Sequence, residues 1–212
     1  MVLDSKPLNR SYAELFTAQD FLHVVFVDQS PLQNYTSDGE WGPDRGNRSC
    51  NSAASLAHIQ ATLKYRPEDV YNGTISSCLA YLSHPQEDDN ISEMTMASDR
   101  DFFLSIAKQG DPKWFGKLMA DHTSLDWRDY IAQRFHPGGR VLVIASSRSG
   151  CFPPAGPLHV VNLLNSESSF RNPLATGVTI DWGGHWCYWE KPEKFNALVL
   201  DFLAGNPISQ YV

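Results

Sequence analysis

The sequence has no apolar run approaching the roughly 20 residues that a membrane-spanning helix needs, and its opening MVLDSKPLNRSYAELF carries charges where a secretory signal would be apolar. Positive charge is also in short supply. Its 17 Lys and Arg stand against 24 Asp and Glu, giving a net charge of −7, and the basic residues are scattered. Nucleic acids and anionic membranes both demand a basic face, so neither is an expected partner. Cysteine is sparse: Cys50, Cys78, Cys151 and Cys187 lie far apart in sequence, without a C-x-x-C pair or a histidine at ligand spacing. That argues against a zinc site or a redox motif and for buried free thiols in a reducing cytoplasm; neither a metal nor a cofactor is expected. The N-x-S/T triplets at Asn34, Asn47, Asn72 and Asn90 follow no signal and are read as chance.

What the chain does have is a core: 42% of its 212 residues are hydrophobic and 12% aromatic, enough for a globular protein. FLHVVFVDQSP, from Phe21, is apolar and β-branched on both faces and ends at a polar residue and proline, the pattern of a buried parallel strand. GGRVLVIAS is a second such run over Val141 to Ala145, and TGVTIDW at 176–182 is a weaker third. Strands separated by loops and helical patterns predict an α/β sheet. A helix is expected over 11–20. Another starts near Pro192, where Phe195, Leu198, Val199, Phe202 and Leu203 form an apolar stripe stopped by Gly205. Residues 33–137 show helical patterns (SAASLAHIQATLKY, YNGTISSCLAYL, SDRDFFLSIAKQ, SLDWRDYIAQRF) and no strand. They are too long for an ordinary crossover and predict a helical cap carried on a core of residues 1–32 and 138–212.

In open α/β sheets reactive groups gather at the carboxyl ends of strands. Here those ends carry Asp28, the segment from Ser146 to Pro153, and the segment from Trp182 to Trp189, which contains His185. An imidazole there can serve as a general base, given an acid to fix its tautomer, and Asp28 can supply that acid.

These residues resemble the α/β-hydrolases. GGHWCYWEKPEKFNALVLDFL is similar to the family's C-terminal signature, a histidine followed by a glutamate-proline pair and a last amphipathic helix. HVVFVDQSP resembles the strand after the nucleophile helix, and GGRVLVIASSRSGCFP the strand that follows it. The resemblance implies a partial α/β-hydrolase fold, about three parallel strands with a large cap. The position that aligns with the family's usual aspartate is Ser149, so it further implies the variant in which the acid stands one strand earlier, at Asp28. Ser149 is then expected to be exposed at the rim and unpaired with His185. The family's nucleophile sits in a G-x-S-x-G elbow, which this sequence lacks. The chain therefore reads as the C-terminal part of such a fold, truncated or completed by a second chain.

Three readings follow. The first is a His185–Asp28 pair that serves hydrolysis of a small hydrophobic ester, lactone or related carbonyl compound under the cap. The second is a cofactor-free dioxygenase, whose histidine–aspartate dyad deprotonates a hydroxylated heteroaromatic. The third is a non-catalytic remnant that binds through an exposed sheet edge, with self-association as a consequence. Trp186 and Trp189 are candidates for lining a substrate pocket, and Arg45, with Arg48, for meeting a substrate anion. His58, His122 and His136 carry no partner pattern and read as ordinary surface or core histidines.

Overall fold

A computed structural model of the chain describes residues 18–87, 89–135, 137–166 and 175–211. Most of the helix expected over 11–20 lies outside them; Ala18–Asp20 form a 3₁₀ turn. Three strands, β1 (Val24–Val27), β2 (Val141–Ser146) and β3 (Ala175–Ile180), pair in parallel in the order β1-β2-β3. The register sets Val24 beside Val141 and Val141 beside Ala175, so all three strands end on the same edge. The central strand is buried at every position, as its unbroken Val-Leu-Val-Ile-Ala run requires. β3 is buried only in part, with Ala175, Val178 and Ile180 buried and Thr176 exposed. Ala175 faces one side of the sheet and Val178 and Ile180 the other, so its weaker sequence signal is that of a strand incompletely covered on both.

Side chains leave the sheet on alternate sides and build two cores. On one face Val24, Val141, Val143 and Ala175 pack with Trp127, Ile131, Phe135, Val160 and Leu164. The other face joins Val25, Val27, Leu142, Ile144, Val178 and Ile180 to Cys187, Phe195, Leu198 and Phe202.

Among the described residues, six helices run between β1 and β2: α1 (Ala53–Tyr65), α2 (Pro67–Cys78), α3 (Ala80–Ser83), α4 (Glu93–Ala107), α5 (Pro112–Ser124) and α6 (Arg128–Arg134). Local chemistry fixes their starts. Ser52 and Ser55 form a reciprocal capping box on α1, Ser92 caps α4, Asp111 caps α5, and proline opens α2 and α5. The expected helical patterns fall on α1, α4 and α6, and a single one, YNGTISSCLAYL, covers parts of both α2 and α3, which separate at the extended Leu79; α5 was not expected, although its Asp111-Pro112 start is a recognisable signal. After β2 comes α7 (Ala155–Asn165), and after β3 the short α8 (Cys187–Glu190) and the long α9 (Pro192–Ala204). Gly205 closes α9 at φ 80°, a left-handed cap that glycine takes without strain. Of the predicted stripe on α9, Phe195, Leu198 and Phe202 are buried, while Leu203 is 43% exposed on its flank.

Candidate active site

The polypeptide leaves β1 through Asp28 at φ 46°, a left-handed backbone that few non-glycine residues adopt and that aspartate tolerates better than most. Its side chain is wholly buried. One carboxylate oxygen, Oδ1, accepts the backbone N–H of Ser146 at the end of β2 (3.0 Å), and Oδ2 lies 2.9 Å from Nδ1 of His185, in the loop after β3. The expected contact between the two strand ends is thus present in the fold. With a proton on Nδ1 facing the carboxylate, Nε2 is the acceptor nitrogen of the ring. Gln29 Nε2 points at it from 3.3 Å. Gln29 is 7% exposed, and its Oε1 is buried with no hydrogen-bond partner among the described residues.

The His185 loop is held from beneath. Ser146 Oγ donates to the Gly183 carbonyl (2.5 Å), and Glu190 accepts from the N–H groups of Gly184 (2.6 Å) and Ala80 (2.8 Å). Burial pushes the Glu190 carboxyl above its ordinary range, against the pull of those two N–H donors. Gly184 lies so close to the start of α3 that an added Cβ would stand 2.6 Å from the Cys78 carbonyl oxygen. A second brace is Arg148, 5% exposed, whose guanidinium donates to the His84 and Asp181 carbonyls and pairs with Asp89. That pairing holds the Asp89 carboxyl below the usual carboxylate range. Arg148 did not stand out in the sequence, and Glu190 entered only as part of the C-terminal signature, without a role.

Two expectations are corrected here. Ser149 is not at the rim: it is fully buried, with its Oγ accepting the N–H groups of Cys151 (3.0 Å) and Phe152 (3.2 Å). A hydroxyl followed two and three residues later by unpaired N–H groups closes a turn inward, which its polarity alone does not reveal. The cysteines are not all apart either. Cys78, at the end of α2, and Cys151, after β2, bring their sulfurs to 3.7 Å, and these with a ring nitrogen of His185 lie within 4.8 Å of one another. All four cysteines are free thiols. The contact with Cys78, helped by the charge of His185, lowers the Cys151 thiol against the effect of burial, whereas burial pushes Cys50 up to about 11.

Cys151 also borders a cavity of ≈ 440 Å³ between the sheet edge and helices α1, α2 and α5, whose walls include Asn47, Cys50, Ile59, Val70 and Met119. That volume suits a small ligand. His58 is exposed at its margin. The other candidates lie elsewhere. Trp186 stacks on Phe103 of α4 (4.2 Å), and Trp189 stacks on Phe102 (4.8 Å) while donating to Asp99. Trp189 borders a second, smaller cavity with Tyr81 and Asp89. Arg45 pairs with Asp44 and lies over Trp41. Arg48 donates to the Ser149 carbonyl (3.2 Å). His122 is half-buried in the last turn of α5, and His136 lies outside the described residues.

No family model matches the chain, and no curated protein matches it. Solved structures do. A bromoperoxidase from Bacillus anthracis (TM-score 0.69, 15% identity) aligns over 92% of this chain and 62% of its own. An esterase from Exiguobacterium antarcticum (0.67, 9%) aligns over 92% and 61%, and a hydrolase from Oleispira antarctica (0.58, 12%) over 87% and 56%. The chain has the α/β-hydrolase fold in part, spanning about three-fifths of the length of these structures.

Proposed function

We propose that His185 and Asp28 form the general-base dyad of a hydrolase that acts on a small hydrophobic ester, lactone or related carbonyl compound. One observation carries this reading: the 2.9 Å contact between His185 Nδ1 and a buried aspartate whose other oxygen is fixed by Ser146 N–H. A carboxylate so held orients the ring, leaves Nε2 as the base and stabilises the imidazolium formed when Nε2 takes a proton. Substrate would enter the cavity beneath α1, α2 and α5, where Ile59, Val70 and Met119 supply apolar contact. In a hydrolase of this fold the base activates a serine on a G-x-S-x-G elbow, absent from these residues, so the chain carries the base-and-acid part of the site. No helix among the described residues is long and apolar enough to cross a membrane, and the four free thiols fit a cytoplasmic setting.

The dyad can be tested without a nucleophile. Ring opening of a nitrobenzisoxazole needs only abstraction of a carbon-bound proton by a positioned base. Metal-free protein should accelerate it, and His185→Ala and Asp28→Asn should each remove most of that rate. Equal rates in wild type and His185→Ala would end the reading.

A second reading keeps the dyad and changes the reaction. The acid stands at the end of β1 and base and acid are complete without an elbow, which is all that deprotonation of a hydroxylated heteroaromatic by a cofactor-free dioxygenase would ask. Oxygen uptake with such a compound, lost in His185→Ala, would favour it over ester hydrolysis.

A further inference from the structure

The dyad uses one side of His185; the two thiols gathered beside it have no part in proton transfer. We propose that Cys78, Cys151 and His185 bind one thiophilic dication of the zinc class, and that its arrival takes His185 out of proton transfer.

The geometry is that of three corners of a tetrahedron. A zinc ion with sulfur ligands at about 2.3 Å sets them about 3.8 Å apart. The Cys78 and Cys151 sulfurs are 3.7 Å apart, far longer than the roughly 2.05 Å of a disulfide. A ring nitrogen of His185 completes a cluster whose donor atoms all fall within 4.8 Å. Asp28 occupies Nδ1, so Nε2 is the nitrogen left to ligate, and the carboxylate–imidazole pair then becomes the outer support that metal-bound histidines characteristically have.

A separate observation marks the fourth corner. Gln29 is 7% exposed, its amide faces His185 Nε2 at 3.3 Å, and its Oε1 has no hydrogen-bond partner among the described residues. Turning that amide about its terminal bond exchanges nitrogen for oxygen and presents a neutral oxygen donor to the cluster. Two thiolates and a dication cancel, so occupation adds no net charge to a buried place, and the two thiol protons leave to solvent as the metal enters. The cavity that Cys151 borders gives the ion a way in. Once coordinated, Nε2 has no lone pair left to act as a base.

The inference rests on the dyad reading only for its effect on activity, so binding is measured on its own. Metal-stripped, reduced full chain is titrated with Co²⁺. The expected result is one ion per chain, with a thiolate-to-cobalt charge-transfer band and the intense ligand-field bands of a tetrahedral site, both displaced by one equivalent of Zn²⁺. Cys78→Ser and Cys151→Ser should each weaken Zn²⁺ at least 10-fold, Asp28→Asn about 10- to 100-fold, and Cys50→Ser should leave binding unchanged. X-ray absorption of the wild-type zinc form guards against variants that do not fold, and should show two sulfur neighbours at about 2.3 Å with lighter donors at about 2.0 Å. Absence of the thiolate band, no sulfur around zinc, or bands that survive both serine variants would overturn the site. Zn²⁺ should also abolish nitrobenzisoxazole opening. Base activity in a chain that binds no metal would defeat this inference alone, and zinc binding in a chain without base activity would defeat the dyad alone.

Discussion

Replacing Arg148 by methionine tests how the insert is fastened to the sheet. The arginine side chain is 6% exposed and that of its partner Asp89 17%, so the pair is nearly dry. Nε and Nη2 donate to the His84 carbonyl at 3.0 and 2.9 Å, and Nη1 reaches the Asp181 carbonyl at 3.3 Å. Methionine keeps most of the packing volume, and the loss is therefore polar: the His84 and Asp181 carbonyls lose the guanidinium, and the Asp89 carboxylate loses its cation and keeps, among the described residues, only the Gln86 N–H (2.8 Å). Breaking a buried pair from one side costs about 3 to 5 kcal/mol. The small residual exposure of Asp89 places this case near the lower figure, about 3 kcal/mol. With a urea slope of about 2 kcal/mol per molar, the midpoint should fall by about 1.5 M at constant slope. The sign of the pH dependence follows from the depressed Asp89 carboxyl. Its contribution is complete above the unfolded value of about 3.9 and is lost as pH falls through the lower folded value, so the gap between wild type and variant should narrow in acid. In a cycle with Asp89→Asn the two losses should not add, since either change removes the pair. A midpoint shift under about 0.3 M, or about 0.6 kcal/mol, or a gap that does not change with pH, would mean that Arg148 is solvated and fastens nothing.

Four shorter predictions follow from the same contacts. Burial raises the Glu190 carboxyl, so the folded state holds its proton more tightly and loses stability as pH rises through and above the unfolded value of about 4.3; Glu190→Gln should flatten that limb in urea titrations at several pH values. Gly184→Val should destabilise by about 2 kcal/mol or more and lower nitrobenzisoxazole opening, because its Cβ meets the Cys78 carbonyl oxygen at 2.6 Å and forces the His185 loop outward; an unchanged melting temperature would contradict this. A serine-directed fluorophosphonate should not label the purified chain, and activated esters should turn over no faster than with His185→Ala, since the elbow and the oxyanion loop of the family pattern are both missing from this sequence and one oxyanion donor alone is worth about 10²- to 10³-fold. Strand β1 has a neighbour on one side only among the described residues, so sedimentation at rising concentration should show self-association; a monomer throughout would mean that this edge is covered.

The strands and the contact between Asp28 and His185 were legible for one reason: a parallel sheet brings strand ends together whatever lies between them in sequence. Asp28 and His185 are 157 residues apart, yet both follow short β-branched runs, and this topology places such ends on one edge. No comparable rule relates Cys78 to Cys151. The first ends a helix of the insert and the second follows β2, so their 3.7 Å contact depends on the path of six helices over the sheet, which spacing along the chain does not encode. Trp186 and Trp189 show the same limit: beside a histidine they suggest a substrate wall, and it is α4, about 90 residues earlier, that supplies the rings on which they stack. Ser149 was misread for a different reason, because a hydroxyl can satisfy backbone donors of its own turn and so turn away from solvent. Glu190 belongs with the cysteines, since its two N–H partners come from the His185 loop and from the start of α3. It follows that the groups most exposed to error in a sequence reading of this fold are those through which the insert meets the sheet edge, and these are the groups that decide whether His185 faces a substrate, a glutamine or a metal ion.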